Sequence, residues 1–336
     1  MRNVKSMMQG LSIGVRSRAH LVIGVIALVI VSVLWRSAFA DVFPDKPIKF
    51  IVGFGVGGPT DIVARVLADQ LSGILGKRIL VENLTGASGN MATQAVATAG
   101  ADGHTYLIGA TPLAVNQSLF PDFPVKFGKD LVGVAPIGAT SNVLVVHPSL
   151  NIKSMAEFVR LARERPDFIT YATLGQGSSS HLAGVAFDML AGTRMVPAAY
   201  RGGGDAAKDL IGGHIHAWFA TIPSVLEAVR AGQLVAIATT GPERATWLPD
   251  VPTIAETGFP GFDVRLWVGV FSPAGVPGDR MRAIEEAIAR SMASQEMQKI
   301  LDNQGIAPFA MNRVQFDTFV SREIDRWKNI VGALKK

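Results

Sequence analysis

The 336-residue sequence contains no cysteine. Disulfides, thiolate nucleophiles and thiolate metal ligands are excluded together, so the fold must be held by its core alone. Beyond Trp35 no apolar run is long enough to cross a bilayer. No Lys/Arg run, solenoid-type repeat or low-complexity linker occurs there either. His104, His147, His214 and His216 offer no ligand spacing beyond His214-x-His216, and no third ligand lies near that pair, so no metal site is expected. Beyond Trp35 a G-x-S-x-G nucleophile elbow is also missing.

What is present begins with a leader. Arg2, Lys5, Arg16 and Arg18 precede an uncharged run of 15 residues, Leu21 to Trp35, followed by Ser37-Ala38-Phe39-Ala40. A basic segment, an apolar segment and a small-x-small site describe a secretory signal peptide over residues 1–40, cleaved after Ala40. The run is shorter than the roughly 20 residues that span a bilayer, which favours export to the periplasm over a retained anchor. With Arg36, the leader holds five basic and no acidic residues, leaving 27 of the 32 basic residues against all 27 acidic ones. The exported part is therefore neutral, and no nucleic-acid partner is expected. Its 296 residues suffice for two domains of ordinary size.

Strands alternate with helices along this part, which predicts an α/β fold with a largely parallel sheet and helices on both faces. Pro47–Val52, Arg78–Val81 and Tyr106–Ile108 read as strands, with helices over Pro59–Leu75 and Met91–Ala99. Val143–Val146 is a further strand, and Ser154 starts a helix running to about Arg165. Strands at Phe168–Ala172 and Met195–Ala199 follow, each leading through a polar loop into a helix; Ala217–Ala220 and Val235–Thr239 are two more. Two helices, from Asp279 to Leu301 and from Val314 to Leu334, close the chain. The last carries Phe316, Phe319, Val320, Ile324, Trp327, Ile330 and Val331 on one stripe, a face for packing on a sheet.

Two loops carry the chemistry. Lys49 to Val52 runs into Gly53-Phe54-Gly55-Val56-Gly57-Gly58-Pro59-Thr60-Asp61, a glycine-rich turn that opens a helix. Pro59 suits the first helical position, and the amides that follow point out of a helix start that favours an anion. Gly175-Gln176-Gly177-Ser178-Ser179-Ser180-His181 repeats the arrangement with serine N-caps. The first loop also spells G-x-G-x-x-G, with Glu82 ending the next strand, a fair match to a dinucleotide-binding oxidoreductase. Pro59 weakens that reading by starting the helix after the third glycine, and an exported protein rarely meets NAD. Ser180 and His181 invite a secreted serine hydrolase, but adjacent side chains at a helix start diverge. Asp61 either supports the helix dipole as a solvated carboxylate or orients the glycine loop.

Phe54-Gly55-Val56-Gly57-Gly58-Pro59-Thr60-Asp61 resembles the "FPAGGPTD" loop of the Bug-type solute-binding receptors of tripartite tricarboxylate transporters. Val81-Glu82-Asn83 with Gly86-Ala87-Ser88-Gly89-Asn90, Asp102-Gly103-His104-Thr105, Val145-Val146-His147-Pro148-Ser149, Gly177 to Gly184, Leu248 to Thr253 and Pro273 to Pro277 are similar to the same family, in order. The resemblance implies a non-enzymatic, two-lobed periplasmic receptor with no cofactor, its ligand cleft lying between the lobes. Lobe 1 would be 41–142 plus 266–336 and lobe 2 143–265, with crossings near Asn142 and Arg265. A small organic carboxylate would be held by Gly57, Gly58, Thr60 and Asp61 from one lobe and Ser178, Ser179, Ser180 and His181 from the other. Tyr200, Arg201 and Gly202 match a further ligand-facing segment. A monomer delivering its ligand to membrane permease subunits, or reporting it to a sensor, is implied. The sequence departs at Ala220, where many members have an aspartate, which disfavours an amino-acid ligand, and at Val56, where alanine is commoner, which implies a slightly narrower cleft.

Overall fold

Strand β1 (Ile48–Val52) leads to α1 (Pro59–Leu75), then β2 (Ile79–Asn83), α2 (Asn90–Ala97), β3 (Thr105–Ala110), α3 (Pro112–Leu119) and a long β4 (Leu131–Val146). Next come α4 (Met155–Glu164), β5 (Thr170–Thr173), α5 (Ser179–Ala191), β6 (Val196–Ala199), α6 (Gly203–Ile211), β7 (Ala217–Thr221), α7 (Ile222–Arg230) and β8 (Val235–Thr239). The chain closes with β9 (Arg265–Pro273), α8 (Gly278–Met292), α9 (Gln295–Asn303), β10 (Ala307–Pro308) and α10 (Arg313–Leu334). This computed structural model describes residues 43–334; the signal peptide expected over 1–40 and its cleavage point lie outside the described residues. All of the elements named fall in one compact unit that begins at Lys46.

The strands form one mixed sheet in the order β2-β1-β3-β9-β4-β7-β5-β6, with β8 and β10 also paired to β4. At one end β1 pairs in parallel with β2 and β3; at the other β5 pairs in parallel with β6 and β7. Between them β4 and β9 run antiparallel to their partners. The sixteen residues of β4 belong to two ladders. Its first part pairs with β9 up to Ser141↔Arg265, and from Asn142↔Thr221 onward it pairs with β7, with β8 on its other edge.

Local chemistry fixes the helix ends. Helix α1 stops at Gly76, whose φ of 65° is a left-handed conformation that a glycine adopts without steric cost. A capping box opens α4: the Ser154 hydroxyl accepts from the Glu157 amide while the Glu157 carboxylate accepts from the Ser154 amide. The single helix expected from Asp279 to Leu301 is instead two. Ser294 caps α9 by accepting from the Met297 amide, and its hydroxyl and that of Ser291 both donate to Gln70 on α1. A tertiary partner 224 residues from Ser294 thus decides the break, invisible to local periodicity.

Strand β4 begins at Leu131 rather than Val143, because Gly133, Pro136 and Gly138 disguise its first half. Its register with β9 shifts at Gly133/Ala135 and again at Pro136/Gly138, and such bulges tolerate residues that a regular central strand would not. The glycines also make room: a methyl group at Gly138 would come 2.4 Å from the Ala307 carbonyl oxygen, and one at Gly269 would come 2.2 Å from the Phe316 ring.

Helix α10 lies across this bare patch. Phe316, Val320 and Trp327 are fully buried, and Phe319, Ile324 and Ile330 are partly buried beside them. The Phe316 ring meets Phe271 at 5.3 Å and Trp267 at 6.4 Å, centroid to centroid. Removing it would leave a cavity that two glycine-bearing strands cannot refill by small shifts. Phe316→Ala is expected to lower unfolding free energy by about 3–5 kcal/mol, read from denaturant midpoints; a loss below ~1 kcal/mol would contradict this packing.

Candidate functional site

The glycine loop leaves β1 at Gly53 and enters α1 at Pro59, with Gly58 as the N-cap residue and no side chain to cap it. The loop is held by Asp61, which is 1% exposed. Its carboxylate accepts from the Gly57 amide at 2.9 Å, from Arg65 Nε at 2.9 Å and Nη2 at 3.0 Å, and from Asn83 Nδ2 at 2.8 Å. Asn83 also donates to the Phe54 carbonyl and accepts from Arg65. Of the two readings of Asp61, the loop-orienting one matches this geometry. Burial alone would raise its pKa; the hydrogen bonds from Arg65, Gly57 and Asn83 outweigh burial and hold it below the usual 3.8. Gly57 sits at φ 83°, where other residues are strained. Thr60 is buried just inside the helix start.

The serine loop is equally organised. Ser178 caps α5, accepting from the His181 amide and donating to the Gly175 carbonyl at 2.7 Å. Its single proton is thereby used, so the 3.0 Å contact with the Ser180 hydroxyl has Ser180 as donor. Ser180 is 3% exposed and also accepts from the Leu174 amide. His181 Nδ1 accepts from the Gly177 amide at 3.4 Å. Burial pushes its pKa below 6.5, so the ring is neutral at pH 7 with its proton on Nε2. The hydroxyl of Ser180 is thus committed to Ser178, and the acceptor nitrogen of His181 to a backbone amide, an arrangement unlike an activated nucleophile.

A third helix start stands nearby in the chain order. Gly202 is the N-cap of α6, again without a capping side chain. Tyr200 ties the end of β6 to β5 through its amide to the Thr173 carbonyl. Its hydroxyl donates to Asp209 at 2.8 Å, and burial followed by that bond pushes its pKa up to about 12. Arg201 is exposed. Ala220 is fully buried, packed with Val143 and Trp218, so its methyl group does not line a cleft and says nothing about the ligand. Val56 is 74% exposed at the tip of the glycine loop.

Three residues outside the sequence-based set join these loops. Gly53 packs so closely on the loop before α2 that a methyl group there would meet Gly89 Cα at 2.8 Å. From that same loop, Ser88 Oγ donates to the Gln176 carbonyl at 2.9 Å. The glycine and serine loops, distant in sequence and at opposite ends of the sheet order, are thereby connected through Ser88. Asn142, fully buried where β4 changes ladders, lies 3.4 Å from the Ser179 hydroxyl, which donates to its Oδ1, and donates to the Phe219 carbonyl. Ser88 lies in a segment noted in the sequence, but nothing local distinguishes its hydroxyl; Asn142 ends the polar run Thr140-Ser141-Asn142 and is marked by the sequence only as a crossing between lobes.

All three helix starts follow parallel strands, at the carboxyl ends where open α/β sheets bind ligands. A crevice of about 520 Å³ lies elsewhere, lined by α4 from Met155 to Glu164 and by Thr257, Gly258 and Phe259. Among the described residues no three His, Asp or Glu cluster as a metal site.

Comparisons with known proteins bear on the family and the fold. Residues 63–335 match the family model described as "Tripartite tricarboxylate transporter family receptor". The chain is 36% identical over 294 residues to protein BugT of Bordetella pertussis, covering 87% of this chain and 90% of that one. Its fold is similar to MatC of Rhodopseudomonas palustris with bound malate (TM-score 0.76, 30% identity, 86% of this chain and 100% of that one). A second R. palustris protein, solved with adipate, gives TM-score 0.76 at 29% identity, covering 86% and 97%.

The Asp61 network makes a pH-dependent contribution whose sign follows from its lowered pKa. The contribution is present above the unfolded value near 4 and is lost as pH falls through the folded value. Asp61→Asn is expected to destabilise by about 1.5–3 kcal/mol at pH 7 and to flatten the acid limb of the stability curve. Unfolding free energies at pH 7 and pH 3 measure both; an unchanged acid slope would remove Asp61 from this role.

Proposed function

The chain belongs to the tripartite tricarboxylate transporter receptor family, and from that premise we propose how it captures its ligand. It is a solute-binding receptor of two-lobed α/β fold that takes up a small organic carboxylate for a tripartite tricarboxylate-type transporter. In the proposed arrangement, lobe 1 comprises residues 41–142 and 266–336, and lobe 2 residues 143–265. The change of partner in β4 between Ser141 and Asn142 supports that division. One carboxylate group sits between the starts of α1 and α5. Gly57, Gly58 and Thr60 line one side, and Ser178, Ser179, Ser180 and His181 the other; the donors are the helix-start amides without an intrahelical partner, since the three serine hydroxyls and the Gly57 amide already donate within the protein. Tyr200, Arg201 and Gly202 form the outer wall. Asp61 acts one step back, holding the Gly57 amide in place.

The carrying observation is that two loops built to present helix starts are connected across the sheet by the Ser88–Gln176 bond. Helix dipoles alone are worth about 0.3–1 kcal/mol each, against about 8 kcal/mol for micromolar binding. Direct N–H bonds to the anion, each worth about 1.5–3 kcal/mol, together with exclusion of water on closure, must therefore supply most of the affinity. Neutral donors suffice, because Arg65 is occupied by Asp61. The receptor catalyses no reaction, works in the periplasm after removal of the leader at Ala40, and is a monomer that hands its ligand to membrane permease subunits or reports it to a sensor.

A thermal-shift panel of mono-, di- and tricarboxylates tests this. One or a few acids should raise the melting temperature with concentration, as expected for ligands bound only by the native state, and none should be turned over. Gly58 has φ −74° and 3.4 Å of clearance to the Gly55 carbonyl oxygen, so Gly58→Val should fold normally yet lose most of the ligand-induced shift. A full shift in that variant would take the first loop out of the site. Hydrolysis abolished by Ser180→Ala would sink the non-enzymatic reading.

A further inference from the structure

Ser88 has no ligand-contacting role in the binding scheme. It sits between β2 and α2, on the loop that packs on Gly53, and its hydroxyl donates to the backbone carbonyl of Gln176 in the serine loop. We propose that Ser88 is a closure latch: a positioning residue that sets affinity by holding the two loops together, without touching the ligand. The proposal deepens the receptor reading and rests on it.

Three observations carry it. First, Ser88 (φ 54°, ψ 36°) and Ala87 (φ 46°) both occupy the left-handed region, which non-glycine residues rarely adopt in succession. Surrounding contacts must therefore impose the conformation. Second, the source of those contacts is visible. Asn116 on α3 is 1% exposed, and its Nδ2 donates both to the Ser88 carbonyl and to Asn90 Oδ1, each at 2.9 Å. The Gly89 amide closes the turn on the Gly86 carbonyl. The hydroxyl is thus aimed by a rigid mount. Third, the receiving side is shaped to admit it. Gly177, at φ 79°, has no side chain, and a methyl group there would stand 3.3 Å from Ser88 Oγ. The acceptor is a main-chain oxygen, so the latch is indifferent to the identity of residue 176.

A bond present only when the loops are together raises the population of the closed form, and every ligand that needs closure gains by the same factor. Direct contact with a ligand would instead discriminate between ligands. The absence of native cysteine permits clean labelling: Asp69→Cys on α1 and Glu164→Cys on α4, both exposed, carry a donor–acceptor dye pair. The ligand-free distance distribution is read first, then titrations with malate and with adipate follow.

Ser88→Ala should shift the ligand-free distribution away from its short-distance component. It should also weaken both acids equally, by roughly two- to tenfold, the range of one hydrogen bond, through faster release rather than slower capture. Gln176→Ala should match the parent. An unchanged ligand-free distribution in Ser88→Ala, or unequal weakening of the two acids, overturns the latch. Failure of the parent protein to bind either acid counts against the carboxylate reading instead, and the ligand-free comparison still decides the latch.

Discussion

The constraint on which this molecule most depends is a buried carboxylate that faces inward. Asp61 sits in the first turn of α1, where a negative charge is favoured by the helix start, and its two oxygens are taken by four donors from Gly57, Arg65 and Asn83. The three residues come from different pieces of structure: the loop, the next turn of the helix, and the end of β2. A flexible run of glycines is thereby converted into a fixed shape. Arg65 neutralises the charge, so the helix start remains free to attract another anion.

The serine loop reaches a similar result by other means. Hydroxyls replace the carboxylate: Ser178 and Ser180 bond to each other and to the backbone at Gly175 and Leu174. One loop is organised by ions and the other by neutral groups. The first responds to acid through its own carboxylate, and His181, held neutral at pH 7 by burial, adds no positive charge there to the second. Electrostatic attraction for a carboxylate is consequently supplied mainly by backbone dipoles, which are fixed and need no reorganisation.

Much of this could be read from residue order, and what could not shares one cause. Helix α1 was legible to its last residue, because Pro59 and Gly76 mark its ends and the apolar period fills it. The two helix-start loops were legible because glycine, serine and proline have local meanings. The resemblance to a known family extended that reading to particular residues. Hidden features all depend on distant partners: the break at Ser294, made by Gln70; the first half of β4, whose glycines accommodate Phe316 and Ala307; and the hydroxyl of Ser88, whose acceptor is 88 residues away. Strand β9 and helices α3 and α7 passed unremarked, since short apolar stretches give no decisive period. Ala220 shows the limit of reasoning by correspondence, because burial removes it from any ligand.

The double pairing of β4 has a mechanical corollary. A strand stitched into two ladders can alter its torsions only where one set of rungs ends and the other starts, between Ser141 and Asn142. On the proposed division into lobes, relative movement of the flanking halves is confined to turning about a single line, as with the jaws of a caliper. Under that restriction the gap between the jaws is a continuous function of one angle. Related receptors with the same pivot could thus grip acids of different length while keeping an identical grasp on the first carboxylate.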